Sequence, residues 1–153
     1  MIVVSDTSPL TALLAVGEAD VLFRLFGEVI IPPEVQKELA RSHASLPLWI
    51  RVRAVTNQAE SARLSRIVDK GEAEAIELAK ELHADRLLID ERKGRRLAVQ
   101  EGIPVIGLLG VVLLAKRQQL IPSARRLLER LDQEAGMYLA LELRDQALKS
   151  VGE

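Results

Sequence analysis

Two apolar runs in this chain end in a carboxylate: Ile2-Val3-Val4-Ser5 leads into Asp6, and Leu87-Leu88-Ile89 leads into Asp90. In an open α/β sheet, ligands bind outside the carboxyl ends of the strands, so two such acids can meet at one place. Each also has a plainer reading as a helix cap or turn residue, where Asp is common. Two further acids sit on predicted helices. In the helix after Gly71, residues turn by about 100° each, which sets Glu72 under Ile76 and Ala79, toward the core edge. Glu74 falls with Glu77 and Glu81 on the polar side. In the helix after Pro33, Glu38 lies beside Leu39 and within a turn of Val35, though Glu34 competes with it on spacing alone. Carboxylates gathered in one pocket repel and raise one another's pKa, and a divalent cation resolves that repulsion. With no Cys and only two His, His43 and His83, oxygen donors point to Mg²⁺ or Mn²⁺ rather than Zn²⁺. Such a centre activates water and holds phosphate oxygens, the chemistry of phosphodiester cleavage.

The elements that must position these acids follow from the pattern. Short apolar runs ending at Ser5, Ile31, Ile89 and Ile106 alternate with helical segments, which predicts a parallel sheet of four or five strands covered on both faces. Ser8-Pro9 gives a helix start, with Ser8 as N-cap and Pro9 at the first helical position. Helices are expected over 9–15, 18–26, from Pro33, 58–68, after Gly71, after Asp90, and over 108–118, 123–135 and 138–148. Residues 44–56 read as irregular or extended. The 153 residues are 48% hydrophobic but only 3% aromatic, so one domain over 1–153 has a core of Leu, Val, Ile and Ala. A net charge of -1 gives no global field for nucleic acid. Any such role must rest on local charge. Arg92, Lys93, Arg95 and Arg96, directly after Asp90, are candidates to grip a phosphate backbone, with a solvated helix face as the alternative. Lys116, Arg117, Arg125, Arg126 and Arg130 form a second basic run with the same two readings. Only Trp49 and Tyr138 are placed to stack on bases. The absence of Cys, of a signal-like N-terminus and of a long apolar span is consistent with a cytoplasmic protein and no membrane partner.

The sequence resembles a PIN-domain protein, the fold of VapC-type toxin ribonucleases, over nearly its whole length. "VVSDTSPL", "IPPEVQKEL", "GEAEAIELA" and "LLIDERKGRRLA" carry the resemblance, which is nearest to a PIN-like subfamily sharing GExEAI. It implies a three-layer α/β/α fold with a short parallel central sheet and four catalytic acids, Asp6, Glu38, Glu72 and Asp90. Asp6, Glu72 and Asp90 would hold Mg²⁺ or Mn²⁺, with Thr7, Ser8, Glu74 and Glu91 in support. Two positions depart from the family pattern. Glu72 stands where Asp is usual, and Glu91 stands where close relatives often have a second Asp. The implied activity is cleavage of single-stranded RNA by metal-activated water, as the toxin of a type II toxin–antitoxin pair. The implied partners are an antitoxin protein and a second copy of the chain. Two rival readings remain. One is a catalytically weak or inactive PIN-like module that binds RNA or protein. The other is a haloacid dehalogenase-type phosphatase, which expects an Asp two residues after Asp6, where this chain has Ser8.

Overall fold

Successive residues of a strand face opposite ways, and Val3 and Val4, both fully buried, enter two different cores. The computed structural model, which describes residues 1–153, organises both around one parallel sheet. Its strands are β1 (Val3–Ser5), β2 (Val29–Ile31), β3 (Ile50–Val52), β4 (Arg86–Leu88) and β5 (Val105–Ile106), in the order β3-β2-β1-β4-β5. Around it lie α1 (Thr7–Ala15), α2 (Asp20–Phe26), α3 (Pro33–Ala40), α4 (Gln58–Leu64), α5 (Lys70–Glu81), α6 (Arg92–Gln100), α7 (Leu108–Arg117), α8 (Ala124–Ala135) and α9 (Leu141–Ser150). Val3 and Leu88 pack with Leu10, Leu22, Val111 and Leu128, from α1, α2, α7 and α8. Val4, Leu87 and Ile89 pack with Leu64, Ile76 and Leu97, from α4, α5 and α6. Each such Leu or Ile contributes on the order of 1.5–3 kcal/mol by leaving water. The result is a three-layer α/β/α fold, as expected.

The chain steps outward from β1 to β2 and β3, then crosses to the other side of β1 for β4 and β5. Connections after β1 and β4 therefore diverge, opening a crevice at the carboxyl end of the sheet. Two bonds carry the pairing to its rim: Asp6 N–H donates to the Leu88 carbonyl at 2.9 Å, and Ile89 N–H to that of Ile106 at 3.0 Å. Asp6 and Asp90 stand at this rim.

Several boundaries differ from the sequence expectation. The fifth strand is β3, inside the segment read as irregular or extended. Its residues show no inward–outward alternation: only Ile50 is buried, while Arg51 and Val52 are exposed at the sheet edge. Helix α1 starts at Thr7, with Asp6 rather than Ser8 at its N-cap. Pro9 is then the third helical residue, still within the first turn, where its missing N–H has no intrahelical partner to lose. Helix α4 stops at Leu64, and α9 starts at Leu141, three residues later than the pattern suggested.

Candidate active site

Asp6 leaves the central strand and is only 4% exposed. Burial pushes its carboxyl up to about 7, and the charges of Asp69, Glu38 and Asp90 push the same way; a bond from the Thr7 backbone N–H offsets part of this. A carboxylate with no cationic partner at the end of a buried strand is held there by the fold, not by its own solvation.

Glu38 reaches Asp6's surroundings from α3. Its carboxylate accepts a short hydrogen bond from the Thr7 hydroxyl. The helix turn separates it from Glu34, whose side chain pairs with Lys37 and Lys70 at 3.5 and 3.6 Å. Of the two acids that spacing left open, Glu38 is the one that meets Thr7. Ser8 is exposed and bonds neither Asp6 nor Glu38, because the early start of α1 carries it to the outer side of the first turn.

Glu72 is 7% exposed and points where the helical wheel put it. Burial raises its carboxyl to about 8, reinforced by the charges of Asp69, Asp6 and Glu91. Glu74 does not lie in solvent as expected. It is 9% exposed and accepts the Glu34 backbone N–H at 3.1 Å, closing the start of α3. Glu77, placed on the same polar side, is buried at 2%. Helix α5 lies between α4 on one flank and α3 on the other, so a wheel with one wet face does not describe it; its buried residues run from Gly71 to Ala79 without a break. Glu74 thus serves α3 and is separate from the acids around Asp6.

Asp69 belongs to the site and was not among the sequence candidates. It is the N-cap of α5 and accepts the Glu72 backbone N–H at 2.8 Å, and its charge raises both Asp6 and Glu72. The signal was present: Asp69-Lys70-Gly71-Glu72 has an acidic cap with Glu three residues on, the pattern of a capping box. Gly71, taken as a break, is in fact the second residue of the helix.

Asp90 accepts the Leu108 N–H at 2.7 Å and so also closes the start of α7. Asp90 keeps an exposed side, yet desolvation of its carboxyl at the strand end raises it, while that bond and the Arg95 guanidinium lower it. Glu91 caps α6 by accepting the Gly94 N–H at 2.7 Å. Arg95 donates to the Ile89 carbonyl at 3.0 Å. Arg92, Lys93 and Arg96 are exposed and form no ion pair among the salt bridges of the chain. Asp90 and Arg92, Arg95 and Arg96 line a groove of about 620 Å³ whose apolar wall includes Val99 and Leu143. Three residues of the second basic run are engaged elsewhere. Arg130 binds Glu18, Glu134 and the Val16 carbonyl, while Lys116 and Arg125 hold Glu153.

A PIN-domain family model matches residues 2–153. The chain belongs to the PIN-domain family. No curated protein and no solved structure matches it. PIN domains are generally nucleases that use divalent metal ions, so membership supports a hydrolase. In this PIN domain no three Asp, Glu or His side chains stand together as a ready ligand set. The donors fit such an ion in kind. They are carboxylate oxygens, and burial and mutual repulsion push Asp6 up to about 7 and Glu72 up to about 8, a shift that a bound hard cation would oppose. No helix of the chain is long and apolar enough to cross a membrane.

Proposed function

We propose that this PIN domain is a Mg²⁺- or Mn²⁺-dependent endoribonuclease acting on single-stranded RNA, and that it is the toxin of a type II toxin–antitoxin pair. The observation that carries the nuclease reading is the pairing of two unlike surfaces. Acids with strongly raised pKa at the crevice adjoin a groove with three arginines and no acid but Asp90. Asp6, Glu72 and Asp90 would hold the ion, with Asp69 and Glu38 adding negative charge around it. A bound divalent ion supplies a nucleophilic water and neutralises charge on the scissile phosphate. Arg92, Lys93 and Arg96 would take neighbouring phosphates, and Arg95 would keep one end of its guanidinium on the Ile89 carbonyl while facing the strand. The groove has aliphatic rather than aromatic walls, so contacts fall on the backbone and base identity is weakly read.

The test is cleavage of a mixed single-stranded RNA pool by purified protein with Mn²⁺, Mg²⁺ or chelator, beside duplex RNA and single-stranded DNA. Metal-dependent cutting of the RNA alone supports the reading; equal cutting of DNA would redefine the substrate. The toxin role rests on the resemblance. It predicts a cytoplasmic homodimer whose cognate antitoxin, when co-expressed, co-purifies with it and silences cleavage. A second reading, a PIN-like module that binds without cutting, draws on the lack of a ready ligand set and on Glu72 in place of Asp. It forecasts RNA binding with no cleavage under any metal.

A further inference from the structure

The nine glycines of the chain are of three kinds, one of them represented by Gly110 alone, whose Cβ would stand 3.0 Å from Ile106 Cγ1 and near no acid. Five have positive φ, and a Cβ on any of them would meet nothing within 4 Å. Gly71, Gly94 and Gly107 lie outside the left-handed region, so their backbones would accept any residue, but the space a Cβ needs is taken. At Gly71 it would stand 2.5 Å from Glu38 Oε1. At Gly94 it would stand 2.7 Å from Ile89 Cδ1 and 3.2 Å from Glu72 Oε2. At Gly107 it would stand 2.5 Å from Arg95 Nη1 and 2.9 Å from Asp90 Oδ1. Three acids of the crevice thus each rest against a different glycine, on α5, on α6 and at the start of α7. Two of these glycines lie inside helices, where Gly is a poorer helix former than Ala. Helix formation gives no reason for them; at Gly71 the Glu38 carboxylate does, and at Gly94 Ile89 and the Glu72 carboxylate do together.

We propose that Gly71, Gly94 and Gly107 are positioning residues whose missing side chains form the seats that hold Glu38, Glu72 and Asp90 toward Asp6; this rests on the metal-dependent reading of the site. Gly71 gives the cleanest case. The atom in the way of its Cβ is the far end of a flexible side chain, so a methyl group there is relieved by turning the Glu38 carboxylate away. That movement breaks the bond from Thr7 and withdraws one negative charge from Asp6, while the helix keeps or gains propensity. The signature is a fold left intact and a site taken apart.

The experiment compares Gly71→Ala with Gly136→Ala. Gly136 sits at φ +68 with nothing near its Cβ, so alanine there strains the backbone and leaves the site alone. Three quantities are read: metal-free melting temperature, affinity for Mn²⁺ alone, and the position of Glu38 in metal-free crystals. For Gly71→Ala we expect an equal or higher melting temperature, Mn²⁺ affinity weaker by about 10-fold to 100-fold, and Glu38 turned off Thr7. For Gly136→Ala we expect a lower melting temperature and parental affinity. Parental Mn²⁺ affinity in Gly71→Ala with Glu38 still on Thr7 would overturn the inference. So would a fall in melting temperature matching that of Gly136→Ala, since Gly71 would then serve the fold. If the parent itself does not bind Mn²⁺, the metal reading fails, and the position of Glu38 in the variant crystal alone decides the seat.

Discussion

Helix α5 carries acids at both ends, and only the far end supplies them with cations. At its start, Asp69 and Glu72 join Asp6 and Glu38 with no cation in their midst, and Asp6 and Glu72 are pushed up to about 7 and about 8. At its other end, Lys80 Nζ lies 2.9 Å from Glu60, 3.0 Å from Glu101 and 3.7 Å from Glu77, and Arg63 bridges Glu60 and Glu101. There Glu60 is held down at about 2, chiefly by its bonds from Arg63 and Lys80. Glu81 is also lowered, by hydrogen bonds from Thr56 and Asn57 that outweigh its burial. One helix thus shows that this chain readily supplies arginine and lysine to its carboxylates. Leaving Asp6 and Glu72 without them is a local exception, the pattern that singles out a candidate site.

The comparison breaks most sharply at Asp6. Asp6→Asn keeps size and removes the charge at the centre of the crevice, and metal-dependent RNA cleavage is expected to fall by several orders of magnitude. Single-turnover rates at saturating Mn²⁺ check it, and a variant as fast as the parent would remove Asp6 from the chemistry.

Next in size is the pH dependence of the metal-free protein. Asp6 and Glu72 titrate higher folded than unfolded, so the unfolded chain ionises first as pH rises. Their contribution to stability is full below about pH 4 and is lost as pH rises toward 7 and 8. At about 1.4 kcal/mol per pKa unit, the loss amounts to a few kcal/mol for each of the two. Glu60 and Glu153, both held at about 2, run the other way, and their contribution disappears only as pH falls from about 4.5 toward 2. Melting without metal should therefore peak near pH 4–5. Asp6→Asn should flatten the decline above it, and Mn²⁺ should restore the parent at pH 8. A parent whose melting temperature rises from pH 5 to pH 8 without metal would contradict the buried-repulsion account.

Lys80→Met sharpens the other side. It strips the cation from Glu77, which is 2% exposed and already has one unpartnered oxygen. Because Lys80 itself is a third exposed, the expected loss is only about 1 kcal/mol. It should appear in urea denaturation, with Mn²⁺ affinity unchanged. The smallest effect is expected at Arg96→Ala. RNA binding should weaken by a similar factor across sequences, with a salt slope shallower by about 1. A change confined to one sequence would assign Arg96 to base reading instead.

Much of this was legible before any coordinates. Apolar triplets followed by Asp placed Asp6 and Asp90 at one rim, because parallel strands align their carboxyl ends and the sheet's switch of direction falls beside β1. The wheel placed Glu72 correctly because Ile76 and Ala79 bury the same arc. It failed for Glu74 and Glu77, since a single chain cannot announce that α3 and α4 flank both sides of α5. Asp69 escaped because a glycine two residues later looked like an end. Edge strand β3 escaped because its three residues, one buried and two exposed, carry no period. The glycine seats escaped as well, since only three-dimensional packing shows what a Cβ would touch.

The register of the central strand carries a consequence for time. Val3, Val4 and Ser5 pair with Arg86, Leu87 and Leu88, so β1, though β2 can join it sooner, waits for its other neighbour, synthesised about eighty residues later. At about 5–20 residues per second, that is a delay of several seconds. Asp6 emerges early but has no Asp69 or Glu72 to face until some seventy residues have been made, and no Asp90 until ninety. The acids of the crevice cannot be brought together before then.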